Sequence, residues 1–299
     1  MKKVLITGAN GFIGQTLVGF FEREPGYEVV ATSRGDSRLG ASQGHLYETL
    51  DITNKEAVDK VLEKHQPDVV INTAAIGSVD VCEAERDRCW ALNVSSVNLL
   101  AATCKALDSH LIQLSTDFVF DGTSGPYDEE DETNPINLYG ASKLASEALL
   151  REYALDRWSV VRTQLVFGAK GGEPYGFLAW VEASLREGKP IHVVNDQVRT
   201  PTFVDDLAVA CKGLIEGADN GIYHVSGEET FSIYEFAVRI ADFYDLDADL
   251  ITPVPYAYFG SAVERPPVTG FTLTKATEHL RLRPRTVEES LRVISGGLE

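Results

Sequence analysis

The first fourteen residues restrict the fold more than any other stretch. Val4, Leu5 and Ile6 form an apolar run with no polar alternation, the pattern of a strand buried on both faces. Glycines follow at Gly8, Gly11 and Gly14, and Phe12, Ile13, Leu17, Val18, Phe20 and Phe21 then recur at helical spacing. The glycines therefore fall at a strand-to-helix turn. There Gly8 takes the tight turn, Gly11 lets a phosphate approach the backbone, and Gly14 lets the helix pack close to the strand. Asn10, Phe12 and Ile13 complete the turn. Free N–H groups and the positive end of the helix dipole then face a pyrophosphate, so this is the expected seat of a dinucleotide. A glycine triplet alone is a weak signal; between a buried strand and an amphipathic helix it is a specific one.

The rest of the chain keeps the same rhythm. Apolar runs at Glu28–Ser33, Leu46–Leu50, Asp68–Asn72, Leu111–Leu114 and Trp158–Thr163 read as strands. Helical patterns at Lys55–His65, about Cys82–Leu107 and Tyr139 to about Tyr153 fall between them. Strand and helix in regular alternation predict an α/β chain with a doubly wound parallel sheet, a Rossmann fold. After residue 165 the rhythm loosens. A glycine-rich loop spans Gly168 to Gly176, then come a helix at Phe177–Glu187, a strand at Ile191–Val194, and a helix after Val204 that Asp205 or Asp206 could cap. A strand at Ile222–Val225 and helices at Ser232–Tyr244 and near Thr286–Ile294 complete the chain. The expected division is a dinucleotide-binding domain over 1–165, with segments of about 190–225 returning to it. Residues 166–299 are then mainly a smaller, interleaved α/β lobe that binds substrate.

Composition narrows the partners. The formal net charge of −18 over 299 residues repels nucleic acid and anionic membrane. The first strand begins within three residues, which leaves no room for a signal peptide, and no apolar run approaches the roughly 20 residues that span a bilayer. A cytoplasmic location is therefore expected. Cys82, Cys89, Cys104 and Cys211 include no C-x-x-C pair and read as buried free thiols, not as a metal site.

At the end of the second strand the sequence reads Ser33-Arg34, where an NAD-preferring site usually has an acid. A small hydroxyl residue and a cation suit a 2′-phosphate, so NADPH is the expected cofactor, with NADH the alternative if Arg34 is only a solvated loop residue. Asn72 is followed by Thr73, Ala74 and Ala75, small residues across which a cofactor can lie. The loop Ile76–Val81 then occupies the sheet edge where substrates bind. Asn93, inside the long helical pattern, reads as a helix-to-loop tie.

Tyr139 and Lys143, four residues apart at a helix start, point to one face. A lysine ammonium beside a phenol whose ordinary pKa is about 10 favours the phenolate and brings it nearer working pH. Thr116 offers a hydroxyl at the adjacent strand end. A proton donor, a tuning cation and a positioning hydroxyl are what hydride transfer to a ketone requires, the nicotinamide supplying the hydride.

These motifs together resemble the extended short-chain dehydrogenase/reductase superfamily over nearly the whole chain. Within it the sequence is most similar to the dTDP-4-dehydrorhamnose reductases. The similarity is carried by Thr7-Gly-x-x-Gly-x-x-Gly14, Asn72-x-Ala-Ala75, Ser115-Thr-Asp-Phe-Val-Phe-Asp-Gly122, and Tyr139-Gly-x-Ser-Lys143 with Glu147. Asp196-Gln197 before Thr200-Pro-Thr202, and Arg265-Pro266 ten residues before Lys275, extend it into the second half. The resemblance implies Thr116, Tyr139 and Lys143 as catalytic residues and NADPH reduction of the 4-keto group of a dTDP-6-deoxyhexose. It also implies an adenine contact at Asp51, beside Ile52, although Asp51 or Thr53 could instead cap the following helix. Ile76, Asp117, Phe118, Gln164, Arg199 and Arg265 are the expected substrate residues. Arg199 and Arg265 would each fork onto a diphosphate or pair with a surface acid.

Phe118 stands where the related 4,6-dehydratases carry a second acid, which disfavours elimination of water. Leu165, Gly176 and Arg199 depart from the reductase pattern around the sugar. The alternatives are a nucleotide-sugar 4-epimerase, a reductase of another carbonyl compound, and a cofactor-binding partner protein similar to the regulatory subunit of methionine adenosyltransferase. Oligomeric state, a homodimer included, is left open, and no magnesium ligands can be placed.

Overall fold

The computed structural model describes residues 1–299 apart from 41–43, 154, 218–219, 262 and 297–299. Six strands fall in the first half: β1 (Lys2–Thr7), β2 (Tyr27–Ser33), β3 (His45–Thr49), β4 (Val69–Asn72), β5 (His110–Thr116) and β6 (Trp158–Thr163). They lie in the order β3-β2-β1-β4-β5-β6, and Gly221–His224 adds a seventh strand beside β6. Every pairing in this sheet is parallel. The order reverses between β1 and β4, so the strands' carboxyl ends open a crevice there, the position where doubly wound folds bind ligands.

Helices α1 (Phe12–Arg23), α2 (Lys55–His65), α3 (Val79–Ala84), α4 (Arg86–Trp90), α5 (Ser96–Leu107) and α6 (Leu138–Glu152) alternate with these strands. The second half adds α7 (Phe177–Arg186), α8 (Val204–Glu216), α9 (Ile233–Phe243), α10 (Thr274–Leu280) and α11 (Val287–Ile294). Alternating side chains of each buried strand feed two cores. Val4 and Ile6 of β1 pack with Leu17, Phe21, Leu207 and Leu214 from α1 and α8. Leu5, between them in sequence, packs on the opposite face with Leu62, Leu100 and Leu150 from α2, α5 and α6. A third core, around Phe167, Leu178, Phe203, Phe236 and Ile251, belongs to the second half of the chain. Among the described residues, no helix is long and apolar enough to cross a membrane.

Four details differ from the sequence reading. The long helical pattern at 82–107 is broken. Glu85, at φ −123° and ψ 56°, separates α3 from α4, and Ala91–Ser95 form a π-turn before α5. Periodicity cannot register such a break, because the apolar face continues through it. The glycine-rich stretch 168–176 contains a small hairpin, Ala169–Lys170 against Glu173–Pro174, turned by Gly171 and Gly172 at positive φ. The segment 190–225 divides. Ile191–Val194 pairs with Ile251–Val254 away from the main sheet, whereas α8 packs on α1 and Gly221–His224 joins β6. At the start of α8 neither Asp205 nor Asp206 caps the helix. Both lie in its first turn, and Asp206 is held by Arg285.

Candidate active site

The phosphate-binding turn is built at the end of β1. Gly8 sits at φ +67°, and a Cβ there would lie 2.7 Å from Thr73 Oγ1 and 2.8 Å from the Ala74 nitrogen. Only glycine fits. At Gly14 a Cβ would come within 2.8 Å of Ala9 Cα, so α1 could not pack this close. Gly11 is exposed and caps α1 without any side-chain hydrogen bond, so the first helical N–H groups have no competing side-chain acceptor. Phe12 stacks on Tyr175, with centroids 4.7 Å apart, and Ile13 lines the cleft beyond.

The Asn10 side chain ties down the segment after β2. Its Oδ1 accepts from the Arg38 nitrogen at 2.8 Å and its Nδ2 donates to the Asp36 carbonyl at 3.0 Å. Ser33 ends β2, and Arg34 follows it, exposed. Burial opposes ionisation of Asp51, but two hydrogen bonds from Thr53 and the nearby charge of Arg34 hold its pKa below the ordinary value. Asn54, not Asp51 or Thr53, caps α2, accepting from the Ala57 nitrogen at 3.0 Å. Ile52 is buried, and Ala74 and Ala75 continue from the end of β4. A glycine turn too tight for a Cβ, an uncapped helix start and a cation after β2 together fit a phosphorylated dinucleotide.

Beyond the turn lies a cleft of about 470 Å³, lined by Thr116, Asp117, Phe118, Tyr139, Lys143, Gln164, Leu165 and Arg265 among others. Thr116 is the last residue of β5. Tyr139 and Lys143 stand one turn apart at the start of α6, a helix that Asn137 caps by accepting from the Gly140 nitrogen at 2.9 Å. Desolvation is the largest effect and raises the Tyr139 pKa above 10, a hydrogen bond with Thr116 opposes it, and the charge of Asp117 adds to it. Lys143 moves the other way. Burial lowers its pKa to about 8, against the pull of Glu147.

The substrate residues do not all act as the sequence predicts. Phe118 faces Tyr139 edge-on at 6.0 Å. Both ends of the Gln164 amide are spent on backbone, with Nε2 donating to the Thr269 carbonyl at 2.9 Å and Oε1 accepting from the Thr200 nitrogen at 3.1 Å. Gln164 therefore shapes the wall. Ile76 is buried, its nitrogen and carbonyl both bonded to the Asn93 amide at 2.8 and 3.1 Å. Asn93 also donates to Ser142 Oγ at 3.0 Å, which joins the loop, the π-turn and the catalytic helix.

Arg199 is neither a diphosphate fork nor a surface partner. It is 3% exposed and sits behind Asp117, with Nε 3.4 Å from Oδ2. Arg265 does reach the cleft. Its Nη2 donates to Asp80 at 2.7 Å, its guanidinium lies 4.6 Å from the Tyr256 ring centroid, and its buried Nη1 has no hydrogen-bond partner among the described residues. Leu165 lines the wall at φ +37°, a strained backbone for a branched side chain.

The sequence reading did not identify Thr269, Asp80 or Tyr256. Thr269 donates to Asp117 Oδ2 at 2.5 Å across 152 residues of sequence, and no local pattern announces such a pair. All four cysteines are free and buried. Among the described residues no group of three His, Cys, Asp or Glu side chains is placed to hold a metal.

Comparison with known proteins agrees with this architecture. The profile of the family described as RmlD substrate binding domain matches residues 1–295. A probable low-salt glycan biosynthesis reductase of Haloferax volcanii is 32% identical over 96% of this chain and 95% of its own. A dTDP-4-dehydrorhamnose reductase of Aggregatibacter actinomycetemcomitans is 32% identical over 98% of each. The beta subunit of methionine adenosyltransferase 2 from Rattus norvegicus is also 32% identical, over 85% of this chain and 75% of its own. Among solved structures, dTDP-4-dehydrorhamnose reductase from Bacillus anthracis in complex with NADP superposes with a TM-score of 0.87 at 32% identity, covering 100% of both chains. With its parallel seven-stranded sheet, its phosphate turn and its Tyr-x-x-x-Lys helix, the chain belongs to the RmlD substrate binding domain family of the extended short-chain dehydrogenase/reductases.

Proposed function

We propose that the protein is a cytoplasmic, NADPH-dependent reductase of the 4-keto group of a nucleotide-linked 6-deoxy sugar. The observation that carries this reading is the single cleft in which Thr116, Tyr139 and Lys143 converge, next to a turn shaped for a dinucleotide. The cofactor is held by the first 165 residues, through Gly8, Gly11 and Gly14, Ser33 and Arg34, Asp51 and Ile52, Ala74 and Ala75, and the Tyr139–Lys143 pair. The later half supplies the sugar wall. When bound, the reduced nicotinamide supplies the hydride.

Tyr139 holds a proton at its phenolic oxygen. Its raised pKa keeps that proton in place across the neutral range, as a donor to a developing alkoxide requires. Lys143, buried and cationic below about pH 8, offers its ammonium to the cofactor ribose and stabilises negative charge beside the phenol. Thr116 borders the same oxygen and sets the direction of the phenol. Phe118 leaves no second acid for dehydration and packs edge-to-face with Tyr139 in the cleft. The unpartnered Nη1 of Arg265 is a buried cationic donor suited to a diphosphate oxygen.

The test is NADPH oxidation by the purified protein with dTDP-4-keto-6-deoxyglucose, formed in place from dTDP-glucose by a dehydratase, with NADH in parallel. Saturable oxidation, faster with NADPH, is the expected result. A second reading is favoured by the similarity to a methionine adenosyltransferase beta subunit. Tight NADPH binding without oxidation of any keto-sugar would select it.

A further inference from the structure

A buried cation behind the catalytic strand end has no part in the chemistry above. Arg199 donates from Nη1 to the carbonyls of Val198 at 2.7 Å and Pro267 at 3.1 Å, and from Nη2 to the carbonyl of Pro266 at 2.7 Å. Its Nε faces Asp117, and its guanidinium lies 5.4 Å from the Phe118 ring centroid. Asp117, also 3% exposed, accepts from the Thr116 hydroxyl at 3.0 Å on Oδ1 and from the Thr269 hydroxyl on Oδ2. One line of contacts thus runs from the segment that carries Arg265, through Arg199 and Asp117, to Thr116.

A threonine hydroxyl has one proton, and an ionised carboxylate only accepts. While Asp117 is charged, Thr116 must spend its proton on Oδ1. Its oxygen then accepts from the Phe118 nitrogen at 3.2 Å, in the cleft that Tyr139 also lines. If Asp117 were protonated, this orientation would no longer be enforced. We infer that Arg199 is a positioning residue of the reductase: it keeps Asp117 ionised and thereby fixes the Thr116 hydroxyl, beside Tyr139, in one orientation. Burial raises the Asp117 pKa above the ordinary carboxylate value, and the guanidinium is the largest influence that limits the rise, with Thr269 and Thr116 after it. The other charged or titratable groups nearby are Tyr139, which faces Asp117; Arg265, which faces Arg199; and Lys143, Cys82 and Cys89, which flank Tyr139.

The kinetic readout rests on the reductase reading, so a second readout needs no substrate. In full-length protein labelled with carboxyl-13C aspartate, the Asp117 resonance is identified by its loss in Asp117→Asn. Its titration midpoint is expected to rise by about one unit or more in Arg199→Met and to stay near the wild-type value in Arg199→Lys. An unchanged midpoint in Arg199→Met overturns the inference. In turnover, Arg199→Met should lose about 10- to 100-fold in kcat on the acid side of its profile and recover as the pH rises and Asp117 ionises, with KM changed much less. Arg199→Lys should keep the wild-type pH profile, and Asp117→Asn should stay low at every pH. A loss that is equal at all pH values, or confined to KM, would make Arg199 only a support for residues 265–269 and would also overturn the inference. Absence of turnover in the wild type would instead refute the reductase reading, and the resonance would still decide the role of Arg199.

Discussion

Tyr139 and Lys143 stand one helical turn apart, yet burial moves their protons in opposite senses. The phenol is kept protonated and the ammonium is brought to the edge of deprotonation. Tyr139→Phe is expected to lower kcat by at least about 100-fold and to leave NADPH affinity, read by fluorescence titration, within about twofold. Normal turnover in that variant would remove Tyr139 from the chemistry. For Lys143 the sign follows from a folded pKa of about 8, below the ordinary lysine value of 10.5. The free protein loses this charge as the pH rises through about 8, so NADPH affinity should fall on the alkaline side, and Lys143→Met should abolish that limb. Stability should move the other way. Between about 8 and 10.5 the unfolded chain holds the proton that the folded chain has lost, so this residue contributes a rise in stability with pH. At the opposite end of the cofactor, Arg34→Ala should weaken NADPH more than NADH, and equal losses would remove the 2′-phosphate argument. The residues proposed to bear the chemistry were legible because each sits in a local motif. The direction of the Tyr139 shift was not, because it depends on how deeply the phenol is enclosed.

The elements were legible in proportion to how local their causes are. Buried strands and amphipathic helices follow from apolar spacing, and the glycine turn follows from a conformation that only glycine adopts. The π-turn at Ala91–Ser95 left no trace in that spacing, although it is what brings the Asn93 amide to Ile76 and Ser142. Asn93→Ala leaves the buried Ile76 nitrogen without its acceptor. It should cost about 1–3 kcal/mol in denaturant unfolding and should loosen the start of α6 enough to lower kcat. An unchanged midpoint and rate would show that the π-turn holds itself. Arg199 and Thr269 escaped for a related reason. Their partner Asp117 is reached only after the second half of the chain folds back over β5, and sequence separation hides such a contact. Arg199 was singled out only because it breaks a family pattern. Its side chain turned inward, away from the expected diphosphate.

At the scale of the whole molecule, a net charge of −18 has to be accommodated on a surface that must also admit an anionic cofactor and an anionic sugar nucleotide. Local cations at Arg34, Lys143 and Arg265 would answer the global field at the places proposed for phosphate and ribose. Self-repulsion should still show. The thermal midpoint should rise as sodium chloride is raised from about 10 mM to about 0.5 M, and a midpoint that falls throughout would contradict the repulsion argument. The central claim is that the cleft transfers hydride to carbon 4 of a nucleotide-linked keto-sugar. The most direct measurement uses NADPH deuterated at the transferable position of nicotinamide carbon 4, with dTDP-4-keto-6-deoxyglucose, and locates the label in the sugar product by mass spectrometry and NMR. Deuterium bonded to sugar carbon 4 in the wild-type product, and none formed by Tyr139→Phe, is the predicted result. A protein that binds NADPH tightly and leaves every nucleotide keto-sugar unlabelled would contradict the account.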